Sequence, residues 1–218
     1  MALNINGTTG ISGVDGSVSA PALTGTDSNT GITFPSADTI KFSTGGVERM
    51  SITNSGISGI TAGITMADQW RLTTNLTMSQ NTGTTITANW ERVDSDGFGQ
   101  LGTGMTESSG IFSFPSTGIY LIRFIPITYT GTSAASANRL RIYTTVDDGT
   151  YGMAAETFIS NYAQYIYSTG VCEFQFDVTN VSTHKVKFYY YTGGTGVQLQ
   201  ANSGVNMTHV TFVRLGDT

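Results

Sequence analysis

The chain has 218 residues, only 11% of them charged, and a formal net charge of −5. Ordinary soluble domains carry roughly 25% charged residues. Here Gly, Ser, Thr and Asn fill the gap, and the clustered Lys and Arg that grip a phosphate backbone are missing, so no nucleic acid is expected as a partner. A single cysteine excludes an intrachain disulfide framework, and no run approaches the roughly 20 apolar residues that cross a bilayer, so no membrane insertion is expected either.

Aromatic residues divide the chain. Only Phe34 and Phe42 precede residue 70, whereas both Trp, all ten Tyr and the other nine Phe lie at or beyond it. A segment so poor in large side chains buries little core alone. The expected organisation is therefore a stem over residues 1–69 and a compact head over 70–218.

Residues 1 to about 35 are Gly, Ser, Thr, Ala and Asn with single aliphatics, the composition of a flexible linker. A hairpin is predicted near 38–53, because Ile40 and Phe42 alternate before the Gly45-Gly46 turn and Met50 and Ile52 after it. Gly56-Ile57, Gly59-Ile60 and Gly63-Ile64 then form a run that reads either as linker or as a thin stalk whose Ile57, Ile60 and Ile64 meet those of other chains on an axis. Asn6 to Phe34 together with Asp38 to Ile52 resemble segments of tail-fibre and other structural proteins of marine bacteriophages, cyanophages especially.

Beyond Trp70, nine strands are predicted: Thr84 to Arg92, Gly110 to Phe114, Ile119 to Tyr129, Asn138 to Val146, Ala163 to Tyr167, Val171 to Val178, Lys185 to Thr192, Gly196 to Ala201 and Thr208 to Leu215. Gly, Asn and Asp turns separate them, and no helical period competes, which predicts an all-β sandwich or jelly roll. The run from Gly110 to Phe124 resembles the globular head of the C1q and tumour-necrosis-factor superfamily. Gly110, Phe112, Pro115, Gly118 and Tyr120 match that pattern, Ile122 replaces an aromatic residue, and Phe124 lies beyond it. The resemblance implies a C1q/TNF-like trimeric jelly roll.

Alternation supports an assembly independently. Tyr120, Ile122 and Phe124 occupy one face of their strand, and Ile119, Leu121, Arg123, Ile125 and Ile127 the other. Apolar residues on both faces require two covers. One is the opposite sheet; the other is a neighbouring subunit or, alternatively, the chain's own loops. Leu121, Arg123, Ile125 and Ile127 are the expected homotrimer contacts.

Chemistry is sparse. His184 and His209 accompany no nucleophile elbow and read as solvated or edge-strand residues. Asp94-Ser95-Asp96-Gly97 begins like a calcium loop but lacks its later ligands, and it and Asp147-Asp148-Gly149 read as turns. Cys172 alternates with Phe174 and Phe176 as a core residue. No cofactor, metal site or enzymatic activity is expected. An aromatic-polar loop region with Tyr151, Asn161, Tyr162, Gln164 and Tyr165 offers rings and hydrogen-bonding groups for a receptor, although Tyr165 also fits a packed strand.

Together these readings give a non-enzymatic virion protein, assembled in a host cytoplasm. Its stem would meet other virion proteins and its head a host surface glycan or protein. The alternatives are a capsid-decorating cement trimer and, more remotely, a glycan-degrading tail enzyme. Met1 to Gly7 show no basic region followed by an apolar run, so no secretory route is expected.

Overall fold

The structure, a computed structural model, describes residues 4–6, 10–12, 15–59 and 63–218. The chain forms two compact units, Met1–Ala62 and Gly63–Thr218. The second begins ahead of the expected boundary at residue 70, because Met66–Leu72 is a strand of its central sheet.

In the first unit, β1 (Asn4–Asn6) pairs with β2 (Gly10–Ser12), and β3 (Gly16–Ser17) with β4 (Ala20–Pro21). Then β5 (Leu23–Thr24), β6 (Gly31–Thr33), β7 (Ile40–Thr44), β8 (Val47–Thr53) and β9 (Gly56–Ser58) form one antiparallel meander. Its β7–β8 pair is the expected hairpin. Gly45 and Gly46 have φ values of 59° and 74°, the two positive angles that a type I′ reversal requires, and Ile40 lies opposite Ile52. The hairpin has neighbours on both sides: β6 precedes it and β9, from the run expected as linker or thin stalk, follows it, so its two open edges are satisfied.

The second unit contains β10 (Met66–Leu72), β11 (Leu76–Thr77), β12 (Thr84–Thr85), β13 (Trp90–Arg92), β14 (Thr106–Ser108), β15 (Ile111–Ser113), β16 (Gly118–Ile125) and β17 (Ile127–Thr130). They are followed by β18 (Ala135–Thr145), β19 (Gly152–Asn161), β20 (Ile166–Thr169), β21 (Cys172–Val178), β22 (Lys185–Tyr191), β23 (Val197–Leu199) and β24 (His209–Gly216). One sheet runs β13-β10-β24-β16-β21, and a second β14-β15-β22-β18-β19 with β12 also on β22. A four-stranded sheet, β11-β23-β17-β20, completes the unit. The chain crosses between the main sheets at β15–β16, β21–β22 and around the β18–β19 hairpin, so β16 lies beside the last strand and β22 beside β15. That ordering is a jelly roll, and it is antiparallel throughout the named ladders.

The core lies between the two main sheets. Tyr120, Ile122 and Phe124 from β16 meet Leu140 and Ile142 from β18 and Val186 and Phe188 from β22, all of them buried. Phe112 sits at the centre, its ring 5.3–5.5 Å from those of Trp70, Trp90, Phe188 and Phe212. Pairs at this spacing contribute about 0.5–1.5 kcal/mol each beyond burial.

The Pro-Ser-Thr-Gly turn before β16 is fixed by Gly118, whose φ is 142°. A Cβ there would stand 2.5 Å from the Gly216 carbonyl oxygen.

Several predicted strands are broken or displaced. Ile119 to Tyr129 divides at Pro126, which has no N–H for the ladder. Thr84 to Arg92 divides into β12 and β13 around Asn89, whose φ is 65°. Ala163 to Tyr165 forms a turn, and β20 starts only at Ile166.

Candidate binding surfaces

The five residues expected to contact a receptor do not form one site. Tyr151 immediately precedes β19 and Tyr162 immediately follows it, so a ten-residue strand separates them. At about 3.3 Å per residue that strand holds the two roughly 30 Å apart. The loop region expected across these residues is, over Gly152–Asn161, the edge strand of a sheet.

Asn161 is fully buried and cannot touch a receptor. Its Oδ1 accepts hydrogen bonds from the Thr128 hydroxyl at 3.0 Å and from Asn138 Nδ2 at 2.7 Å, and its Nδ2 donates to the Ile166 carbonyl at 2.8 Å. It is the anchor of the loop that follows.

That loop, residues 162–165, joins β19 to β20 and presents Tyr162 and Tyr165 at 78% and 66% exposure. Two bonds hold it against the β17–β18 connection. Gln164 Nε2 donates to the Gly131 carbonyl at 2.8 Å, and the Tyr165 N–H donates to Thr130 at 2.7 Å. Tyr165 has a φ of 61°, a left-handed conformation that costs a bulky residue about 1–3 kcal/mol. The strained backbone carries an exposed ring. Next along the chain, exposed Tyr167 packs on Tyr129 with ring centroids 4.7 Å apart.

A second surface is the outward side of the β10-β24-β16-β21 sheet. Leu121 and Ile125 lie half-buried on it beside exposed Arg123, and Val213 stands opposite Leu121 on β24. Val171, before β21, and Leu215, on β24, are 47% and 46% exposed. Arg123 is paired within the chain, its Nε 2.9 Å from Glu173 on the neighbouring strand. Ile127 is half-buried after Pro126 on β17.

Of the glycine-isoleucine run, Ile57 lies on β9 opposite Ile52 and Ile64 is an exposed residue of the second unit. Ile60 falls outside the described residues. Ile57 is thus an edge-strand residue, not part of an extended stalk.

The acidic clusters are turns. Asp94 binds buried Arg71 at 2.8 Å, and Arg71 also donates to Glu91 at 2.7 Å and to the Ser95 hydroxyl. Asp147 accepts from the Thr145 hydroxyl and the Gly149 and Thr150 N–H groups, which hold its carboxyl below the usual range. Among the described residues no group of three or more His, Cys, Asp or Glu is placed to hold a metal.

His184, expected to be solvated, is instead buried and stacks on Phe176 at 5.5 Å. Burial pushes the Cys172 thiol up to about 11, so it stays protonated and unreactive at neutral pH.

Sequence reasoning passed over the outward rows of β18 and β22. Arg139, Arg141 and Tyr143 recur at every second residue on β18, as do Lys185, Lys187, Tyr189 and Tyr191 on β22. The alternation was present in the sequence, but the pairing that sets the two rows side by side comes only with the fold.

No protein-family model and no curated protein matches the chain. Among solved structures it is similar to murine APRIL, at 15% identity over 69% of this chain and 98% of that one, with a TM-score of 0.45. It is also similar to PRD1 vertex protein P5, at 16% identity over 71% and 100% with a TM-score of 0.46. A third is Eiger TNF from S. frugiperda, at 11% identity over 72% and 95% with a TM-score of 0.46. Function has to be read from this chain's own surfaces.

Proposed function

We propose that the chain is a non-enzymatic structural protein of a virus particle that assembles as a homotrimer, attaches through its first unit and presents its jelly-roll head to a host surface. The observation that carries the trimer is the outward side of the β10-β24-β16-β21 sheet. Leu121, Ile125, Val213, Val171 and Leu215 leave an apolar strip there, beside the polar Glu173, Gln175 and Asp177 of β21, and contact with another copy would remove that strip from water.

Six carboxylates of the second unit, those of Asp68, Glu91, Asp94, Glu156, Glu173 and Asp217, are engaged in ion pairs, each with an arginine. The virion assignment rests on the likeness of the first 60 or so residues to marine phage structural proteins. The exposed Tyr162 and Tyr165 supply aromatic contacts of the kind that dominate recognition surfaces. Three copies of such a loop would bind multivalently.

A second reading, a cement trimer on the capsid, is favoured by the compactness of the first unit. Its five-stranded meander lies within Leu23–Ser58 and forms no long shaft. Image reconstruction of intact particles tests both. Density for the head at a tail tip supports a fibre, density at capsid symmetry axes supports cement, and absence from the particle overturns the proposal.

A further inference from the structure

We infer that the outward face of β22, β18 and β19 is a binding surface for an acidic polysaccharide, centred on Arg139. Charge in the second unit is segregated. Arg71, Arg92, Arg123, Arg141 and Arg214 each pair with a carboxylate. The other cations there, Arg139, Lys185 and Lys187, have no acidic partner among the described residues, and all lie on adjacent strands β18 and β22. They share one side of the sheet, because Leu140, Ile142, Val186 and Phe188 fill the buried positions between them.

Arg139 is held in place by rings. Its cross-strand neighbours are Phe158 on β19 and Tyr191 on β22, and its guanidinium carbon lies 5.2 and 5.4 Å from their centroids. Its side chain makes no hydrogen bond within the described residues, and its Nε is buried without an acceptor. Cation–π attraction only partly offsets the loss of water and counter-charge. What remains is a planar fork, fixed in orientation and lacking the anion that such a fork binds best, a carboxylate or sulfate.

The pattern continues along the sheet. Lys187 Nζ sits 4.1 Å from the centroid of the Tyr151 ring, and Tyr143 packs on Tyr189 at 5.1 Å. Arg141, neutralised by Glu156, lies over Tyr189 at 5.6 Å. Phe158, on the edge strand, is 63% exposed. Cations thus alternate with rings over three strands, a face about 10 Å wide.

Charge complementarity selects the occupant. Glu156 already pairs with Arg141, and the unpaired cations are separated by aromatic rings, so single anions meet Arg139 and Lys187 while flat apolar faces meet the rings between them. A chain of sugars bearing carboxylates or sulfates fits: its C–H faces rest on the rings, tyrosine hydroxyls bond to its hydroxyls, and its anions reach Arg139 and Lys187. This surface does not depend on the proposed trimer, whose contacts lie on the other main sheet.

The test measures binding of the full-length protein at low salt to polygalacturonate and dextran sulfate, with neutral dextran and single-stranded DNA of similar length as comparisons. Polygalacturonate is expected to bind at least tenfold more tightly than dextran or DNA, and dextran sulfate reports whether sulfate serves as well as carboxylate. Arg139→Ala and Arg139→Lys are each expected to weaken polygalacturonate at least tenfold, the second because it keeps charge without the fork. Phe158→Ala and Lys187→Ala should weaken it severalfold, and Arg49→Ala, which removes the same charge from the first unit, should leave it unchanged. The inference is overturned if polygalacturonate does not bind, if DNA binds as tightly, or if folded Arg139→Ala and Lys187→Ala proteins both bind like the parent. A face covered by another virion protein would give the first of those results.

Discussion

Asn138 Nδ2 donates a 2.7 Å hydrogen bond to Asn161 Oδ1, and both side chains are wholly buried. The Thr192 hydroxyl donates to Asn138 Oδ1 at 2.6 Å, and Thr128 donates to Asn161. A satisfied polar network in the head thus links β17, β18, β19 and the residue after β22, directly beneath the exposed tyrosine loop. Such networks specify one arrangement because any break leaves a desolvated group without a partner.

Asn161→Ala removes the hub of that network and strands Asn138 Nδ2 and the Ile166 carbonyl. A loss of about 2–3 kcal/mol is expected, read by urea denaturation. Tyr162→Ala, one residue away but exposed, should stay within about 0.5 kcal/mol of the parent. Equal stabilities for the two variants would show that Asn161 does not anchor the loop.

Asp68→Asn should be more damaging. This buried carboxylate accepts from Trp70 Nε1 at 2.9 Å, from the Met105 N–H at 2.8 Å and from Arg92 Nε. An amide supplies one acceptor oxygen where the site needs two and leaves Arg92 without its counter-charge. A cost of about 3 kcal/mol is expected, at the lower end of the range for breaking a buried pair because Arg92 is partly exposed. Thermal melting of the two proteins side by side measures it.

Cys172 gives a pH dependence with a definite sign. Its thiol is raised by burial from 9.0 to about 11 in the folded chain, so the unfolded chain loses its proton first. The stability this group contributes is complete below pH 9 and declines as pH rises toward 11. Denaturation midpoints between pH 8 and 11 should fall more steeply for the parent than for Cys172→Ala. Ellman's reagent should react with the parent only after denaturant is added.

The head's fold was legible where strands alternate strongly. The run from Gly110 to Phe124 encodes β15, the Gly118 turn and most of β16 in its own residues. Two of the long strands stayed hidden for physical reasons. Met66–Leu72 carries Asp68 and Arg71 at buried positions, polar residues that read as surface until their partners are known. Gly152–Asn161 is rich in Ala and polar residues, with little of the β-branched and aromatic content that marks a strand. Losing β19 made Tyr151 and Tyr162 look like neighbours and left Asn161 looking exposed. Single strands showed the inward and outward rows; only the register between strands shows that Arg139 stands between Phe158 and Tyr191.

Leu121→Glu would place a charge opposite Val213 on the outward sheet face. If that face is an interface, the substitution should dissociate the assembly while leaving the head folded, since Leu121 lies outside the core between the sheets. Sedimentation velocity with circular dichroism on the same sample distinguishes dissociation from unfolding. A variant that still sediments as the parent would show that this face is not the contact.

The central claim is that the apolar strip of Leu121, Ile125 and Val213 on the outward side of the β10-β24-β16-β21 sheet is covered by other copies of the chain. Native mass measurement of the full-length protein at micromolar concentration tests it most directly. A mass of three chains, persisting on dilution, is the expected result, and the mass of a single folded chain would contradict it.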